Sequence, residues 1–200
     1  MMKPNCGICI LAGGLSARMG RDKARLRLGG RTLLAQIRAT AGQLGLSVRV
    51  IRRDLTPRCG PLGGIYTGLK TSAAEAELFL ACDMPLVSAE LLAKLLTRFR
   101  LKPRPLFAAV DGLAGFPFVL PVASLPRVEA QIARRDFSLQ ALAGALEARL
   151  LRVSPGEGEQ LLNANTPEEW EATRALWRRR AATCRPPVPK QNKIPRKRGL

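Results

Sequence analysis

Apolar side chains follow two rhythms along this chain. Unbroken apolar runs at Cys6–Leu11 and 78–81 predict strands buried on both faces. Spacings of three and four predict helices. Leu33, Leu34, Ile37, Ala41 and Leu44 share one face of a helix over 32–44. Leu91, Leu92, Leu95, Leu96 and Phe99 do the same over 89–100. Between them lie a β-branched strand at 47–51 and a short helix at 65–71, entered through a glycine-rich strand-to-helix turn. Pro103 and Pro105 end the 89–100 helix, a strand follows at Leu106–Val110, and Asp111-Gly112 makes a turn. Further helices are expected over 124–135, from a Ser138 cap to 150, and from a Thr166 cap to near Trp177, with a strand at 150–153. Thr32 and Ser88 cap the earlier helices. Thr166, Pro167 and Glu169 have capping-box spacing with proline at the first helical position, and the apolar pair before them reads as a strand end.

Strand–helix alternation from 6 to 110 predicts an α/β fold: a three-layer, doubly wound, mostly parallel sheet with helices on both faces. Such sheets bind ligands outside the carboxyl ends of their strands. The segments 11–23, 54–64, 82–85 and 163–167 all fall at predicted strand ends, so one crevice can collect them.

Composition adds limits. Two hundred residues suffice for one domain with a real core, placed at 1–177. The 46% hydrophobic share is ordinary, and the 4% aromatic share predicts a core of Leu, Ala and Val. No apolar run reaches the length of a membrane span and the first residues lack a signal-peptide pattern, which points to a cytoplasmic protein without a membrane partner. The five cysteines (Cys6, Cys9, Cys59, Cys82, Cys184) are an odd number, which argues for reduced thiols. Cys6 and Cys9 fall on opposite faces of a strand, which argues against a shared metal. Histidine is absent, which excludes Ser-His and Cys-His mechanisms.

The net charge of +18 suggests nucleic acid until its distribution is considered. Nine Lys or Arg and no acid fall in 178–200, together with Pro186, Pro187, Pro189 and Pro195. That segment predicts a basic, proline-rich, disordered tail. It serves either as a solubilising extension or as an electrostatic handle for an acidic partner or RNA. Half of the excess charge sits in these last 23 residues, which weakens the nucleic-acid reading.

The stretch 11–23, Leu-Ala-Gly-Gly-Leu-Ser-Ala-Arg-Met-Gly-Arg-Asp-Lys, joins the first strand to the first helix. Gly13, Gly14 and Gly20 let the backbone approach a ligand and turn N–H groups toward an anion. Arg18, Arg21 and Lys23 neutralise phosphate charge. The glycine spacing fits neither G-x-G-x-x-G nor the P-loop. Asp83, in Cys82-Asp83-Met84-Pro85, stands at the carboxyl end of a central strand. A single carboxylate there can hold Mg²⁺, which binds through few protein oxygens plus substrate phosphates. Its structural alternative is to cap the next turn, a place that Ser88 already fits. Asn163 and Asn165 either complete a metal shell, contact a phosphate, or make Asx turns.

Taken together, LAGG, then RMG, then DK resemble the signature of molybdenum cofactor guanylyltransferases, the MobA family. The resemblance covers about residues 7 to 177. It implies the nucleotide-diphospho-sugar transferase version of the Rossmann-like sheet. It implies transfer of GMP from GTP to the terminal phosphate of molybdopterin or Mo-molybdopterin, with release of pyrophosphate. Leu11, Ala12, Gly13, Gly14, Lys23, Asp54 and Asp83 then contact the nucleotide. Arg18, Lys23 and Asp83 are the catalytic set, and Asp83 is the Mg²⁺ ligand. The N-x-N-T-P match places Asn163 and Asn165 along the active site. A segment like 115–121 lies on the pterin side, and the region of Arg134 and Arg135 faces the acceptor. A molybdoenzyme or its chaperone is the implied recipient. The family usually has an additional strand, with a residue near the guanine, where this chain has only 45–53. Two other readings compete: cytidylyl or sugar-phosphate nucleotidyl transfer on the same fold, and a non-catalytic binding protein.

Overall fold

A computed structural model describes residues 4–13, 26–164 and 166–183, with the side chains of 155 and 181–183 excepted. β1 (Cys6–Leu11) is buried along its whole length. A short hairpin, β2 (Arg27–Leu28) and β3 (Arg31–Thr32), precedes α1 (Leu33–Gly42). The Thr32 hydroxyl caps α1 by accepting the Ala35 N–H. β4 (Val48–Ile51) leads through a loop to α2 (Pro61–Lys70) and then to β5 (Ala76–Ala81). α3 (Ala89–Leu101) starts at the expected Ser88 cap, whose hydroxyl accepts the Leu91 N–H. β6 (Leu106–Val110) and β7 (Leu113–Pro121) form a hairpin, with Asp111 and Gly112 at φ 50° and 81°. After it come α4 (Leu125–Ala133), α5 (Leu139–Ala145), β8 (Arg149–Arg152), α6 (Pro155–Gly158) and α7 (Pro167–Thr183).

The main sheet has the order β4-β1-β5-β7-β6-β8. The β1–β4, β1–β5 and β6–β8 pairs are parallel, and β7 runs against both neighbours. The mostly parallel, three-layer expectation therefore holds. The period of two in each strand divides its side chains between two cores. Ile8, Ile10, Leu78 and Leu80 pack with Ile37 and Ala41 of α1 and the apolar face of α3. Cys9, Leu11 and Phe79 pack on the other face with Leu62, Ile65 and Leu69 of α2, Val128 of α4 and Leu142 of α5. Cys6 and Cys9 are thus divided between the two cores, as expected. Among the described residues no group of His, Cys, Asp or Glu could hold a metal by itself, and no helix is long and apolar enough to cross a membrane.

Several local expectations are corrected. Phenylalanine, scarce in the sequence, joins the expected Leu- and Ala-rich core: Phe79, Phe99, Phe107 and Phe118 are fully buried. Phe79 and Phe107 stack on Phe118 with ring centroids 5.2 and 4.5 Å apart. α2 begins at Pro61, four residues before the expected start, because Pro61 is preset for the first helical turn. α5 stops at Ala145 and does not reach 150. A turn with Glu147 at φ 47° returns the chain so that Arg149 can pair with Leu106. The segment before Thr166 is not a strand end. Ser154 and Glu157 form a capping box that nucleates α6, and the turn continues through a 3₁₀ segment, Glu159–Leu161. α7 extends past Trp177 to Thr183, across Arg and Ala residues that favour helix. The remainder of the predicted tail, 184–200, lies outside the described residues.

Candidate active site

The carboxyl ends of three adjacent strands are aligned by register and by main-chain bonds. Leu11 stands opposite both Ile51 and Ala81. Beyond the ladders, Ala12 donates to the Ile51 carbonyl at 2.8 Å, and the Cys82 N–H donates to the Leu11 carbonyl at 3.1 Å. This edge carries the Leu11–Gly13 segment from β1, the Asp54 loop from β4 and Asp83 from β5. It is the edge where doubly wound sheets bind ligands.

Asp54 is held between two glycines. A Cβ on Gly13 would stand 3.5 Å from its Oδ1, and one on Gly63 would stand 2.8 Å from its Oδ2. Burial raises its pKa from the usual carboxylate value. The loop behind it is fixed to α2, because the Leu55 N–H donates to Thr67 Oγ1 at 2.9 Å and that hydroxyl donates to the Gly63 carbonyl at 2.8 Å. Gly60 enters the helix at φ 54°, and the next glycines serve close packing rather than a turn. A Cβ on Gly64 would meet Leu11 at 3.0 Å, and one on Gly68 would meet Phe79 at 2.7 Å. Arg52, Arg53 and Arg58 are exposed along this loop. Their charge favours an anionic ligand.

Asp83 is half-buried, just beyond β5. Against it lies the turn before α7, where the Ala164 N–H donates to the Asp83 main-chain oxygen at 2.9 Å. Ala164 is fully buried, and Asn163 beside it is exposed. The chain entering this turn is fastened to α3 from two sides. The Ser88 N–H donates to Gln160 Oε1 at 3.0 Å, and Lys94 pairs with Glu157 at 2.8 Å. The Lys94 hydrogen bond, with one from the Ser154 backbone, lowers the Glu157 pKa to about 2. At the turn's exit, the Thr166 hydroxyl accepts the Glu169 N–H at 3.2 Å while Glu169 Oε2 accepts the Thr166 N–H at 3.1 Å. The expected capping box is present.

Of the expected site residues, the structure therefore brings together Leu11, Ala12, Gly13, Asp54, Asp83 and Asn163. Gly14, Arg18, Lys23 and Asn165 lie outside the described residues. Arg134 and Arg135 are exposed at the end of α4, and Phe137 after them would lie 3.5 Å from a Cβ on Gly60, beside the start of α2. Ala164 and Gln160 were not singled out by the sequence. A small residue between two asparagines was the available sign for Ala164, which is fully buried.

The sequence profile of the MobA-like NTP transferase domain matches residues 8–150. The chain belongs to this family. A molybdenum cofactor guanylyltransferase of Xanthomonas euvesicatoria is 33% identical over 187 residues, covering 85% of this chain and 94% of that relative. One from Pseudomonas entomophila is 34% identical over 187 residues, covering 82% and 96%. Among solved MobA-like structures, the molybdopterin-guanine dinucleotide biosynthesis protein A of Archaeoglobus fulgidus superposes with a TM-score of 0.69 at 18% identity, covering 86% of this chain and 99% of that one. A 4-diphosphocytidyl-2C-methyl-D-erythritol synthase of Anaerococcus prevotii gives 0.68 at 14% identity, covering 88% and 100%. These two likenesses concern the fold. The family assignment makes the chain a nucleotidyltransferase.

Proposed function

We propose that this protein transfers GMP from GTP to the terminal phosphate of molybdopterin or Mo-molybdopterin, forming the guanine dinucleotide cofactor and releasing pyrophosphate. The observation that carries the reading is the bond from Ala164 to Asp83. It joins the N-x-N-T-P turn to the strand-end aspartate at the edge where β1 delivers Leu11, Ala12 and Gly13. Guanylyltransferase relatives spanning most of the chain support the choice of nucleotide and acceptor.

Beyond Ala12, whose N–H is held by the Ile51 carbonyl, the backbone N–H groups of Gly13 and Gly14 receive the triphosphate, and Arg18 and Lys23 balance the charge that grows on it. Asp54 sits behind Gly13 as a carboxylate for polar groups of the nucleoside. Asp83 is the ligand for Mg²⁺. The donor set fits that ion, since one aspartate, with no supporting cluster among the described residues, suits a cation that completes its shell with phosphate oxygens and water. Bound there, Mg²⁺ supplies charge neutralisation and alignment of the phosphates. Asn163 and Asn165 orient the acceptor or complete that shell. The acceptor phosphate is ionised at neutral pH, so no general base is required, in keeping with a chain that lacks histidine. We place the reaction in the cytoplasm, in keeping with the described cysteines, Cys6, Cys9, Cys59 and Cys82, being outside any disulfide.

The test is pyrophosphate release from each nucleoside triphosphate in turn, with Mg²⁺ and molybdopterin. GTP should be preferred. The fold shared with cytidylyl enzymes makes CTP the informative competitor, and a preference for CTP would overturn the guanylyl reading.

A further inference from the structure

α7 and the β2–β3 hairpin meet in a small core of their own. Leu28, Leu33 and Ala164 are buried there, and Leu26, Trp170 and Trp177 pack against them. Gly29 turns the hairpin at φ +57°. A Cβ at Gly29 would stand 2.9 Å from Cζ2 and 3.0 Å from Nε1 of Trp177. The indole therefore rests on hairpin backbone at a point that any side chain would fill.

The hairpin cannot hold this place by itself. Each strand has two residues, and so small a ribbon is not stable without a surface to pack on. Trp177 supplies that surface together with Leu33 of α1, and α7 is itself secured at both ends. Its first turn is closed by the Thr166–Glu169 capping box, and near its end Arg180 Nη1 donates to the Leu86 carbonyl at 2.7 Å. Ala164, in the same small core, bonds to Asp83. In sequence three residues separate the hairpin from the 11–23 stretch, and Thr32 at its end caps α1.

We propose that Trp177 is a positioning residue for nucleotide binding: seated on Gly29, its indole holds the hairpin and the Ala164 turn in one small core beside Asp83. The inference rests on the nucleotidyltransferase reading above. It assigns α7, which lies beyond the matched domain, a part in triphosphate affinity.

The test combines calorimetric GTP titration with steady-state kinetics on the full chain. Trp177→Ala should raise the Kd and KM for GTP about tenfold, while kcat and the acceptor KM stay within about threefold. Trp177→Phe should restore most of the affinity. Gly29→Ala should also weaken GTP, and the double variant should lose less than the sum of the two, because truncating the indole relieves the contact with the new methyl. The chain's two tryptophans both lie in α7, so in a Trp170→Phe background the emission of Trp177 should change on GTP binding. A folded Trp177→Ala protein with wild-type GTP affinity overturns the proposal. So does an equal loss in kcat and both KM values, which marks a merely structural role. Should Trp177→Ala fail to fold, unchanged Trp177 emission at saturating GTP overturns it instead. A wild-type chain that binds no GTP overturns the parent reading and this one together.

Discussion

Ala164 donates its backbone N–H to the main-chain oxygen of Asp83 over 2.9 Å. Neither side chain takes part, so this bond survives any substitution of the Asp83 carboxylate. Asp83→Ala should keep its thermal midpoint near the wild-type value and lose at least about 100-fold in turnover, as expected for a metal-binding carboxylate. Near-normal Mg²⁺-dependent activity in the folded variant would remove the metal assignment.

Lys23 is the last cation of the opening glycine stretch. A charge-assisted bond to phosphate contributes about 1.5–3 kcal/mol, so Lys23→Ala should weaken GTP roughly 10- to 100-fold. Calorimetry decides this, and an unchanged affinity counts against the role.

Asp54 separates binding from stability. Its raised pKa means that the native state holds the proton more tightly than the unfolded chain does. The ionised form therefore costs stability at neutral pH, and that cost disappears as pH falls below the ordinary carboxylate value. Asp54→Asn should melt higher than wild type at pH 7, with the gap closing in acid, and should bind GTP more weakly. A variant that melts lower at pH 7 contradicts the burial argument.

Two glycines should respond in opposite directions to alanine. At Gly63 the methyl meets the Thr56 carbonyl at 2.7 Å and Asp54 Oδ2 at 2.8 Å. Gly63→Ala should cost about 1–3 kcal/mol, as overpacking does, and reduce GTP affinity by displacing Asp54. Gly144, in α5, has no heavy atom within 4 Å of the added Cβ. Gly144→Ala should be neutral or stabilise by about 0.5–1 kcal/mol through helix propensity. Chemical denaturation of both variants checks the pair.

Glu157 has a pKa lowered from 4.5 to about 2, first by Lys94. A depressed carboxylate stabilises the fold above its unfolded pKa and loses that contribution as pH falls through its folded one. The melting advantage of wild type over Glu157→Gln should be full at pH 6 and fade between 4.5 and about 2. Its size is limited by solvent screening. An advantage that persists unchanged at the acid end would exclude the ion pair as its source.

The sequence made legible what depends on local patterning. Unbroken apolar runs located β1 and β5, and the Thr32, Ser88 and Thr166 caps placed three helix starts. It did not reveal features set by distant contacts. Gly63 and Gly64 look like part of the Gly60 turn because only the folded chain shows Asp54 and Leu11 pressing on them. The direction of β7 is invisible to periodicity, since a strand alternates identically either way along the chain. Leu161 and Leu162 looked like a strand because both are apolar, yet one packs on the main core and the other is exposed. In the candidate site, Asp83 was singled out through residue type and position, and Asp54 through the family resemblance. Ala164 acts through its main chain, which a side-chain motif does not identify.

The glycine face of α2 has a consequence for how this protein tolerates change. Gly63, Gly64 and Gly68 leave a smooth strip where the helix meets Asp54, Leu11 and Phe79. In a saturation library this strip should appear as a column of near-total depletion along one side of the helix. Exposed Lys70, in the same helix, should accept most replacements. A helix with that profile can diversify only on its outer side, so new specificities should arise in the loops around the crevice while α2 stays constant.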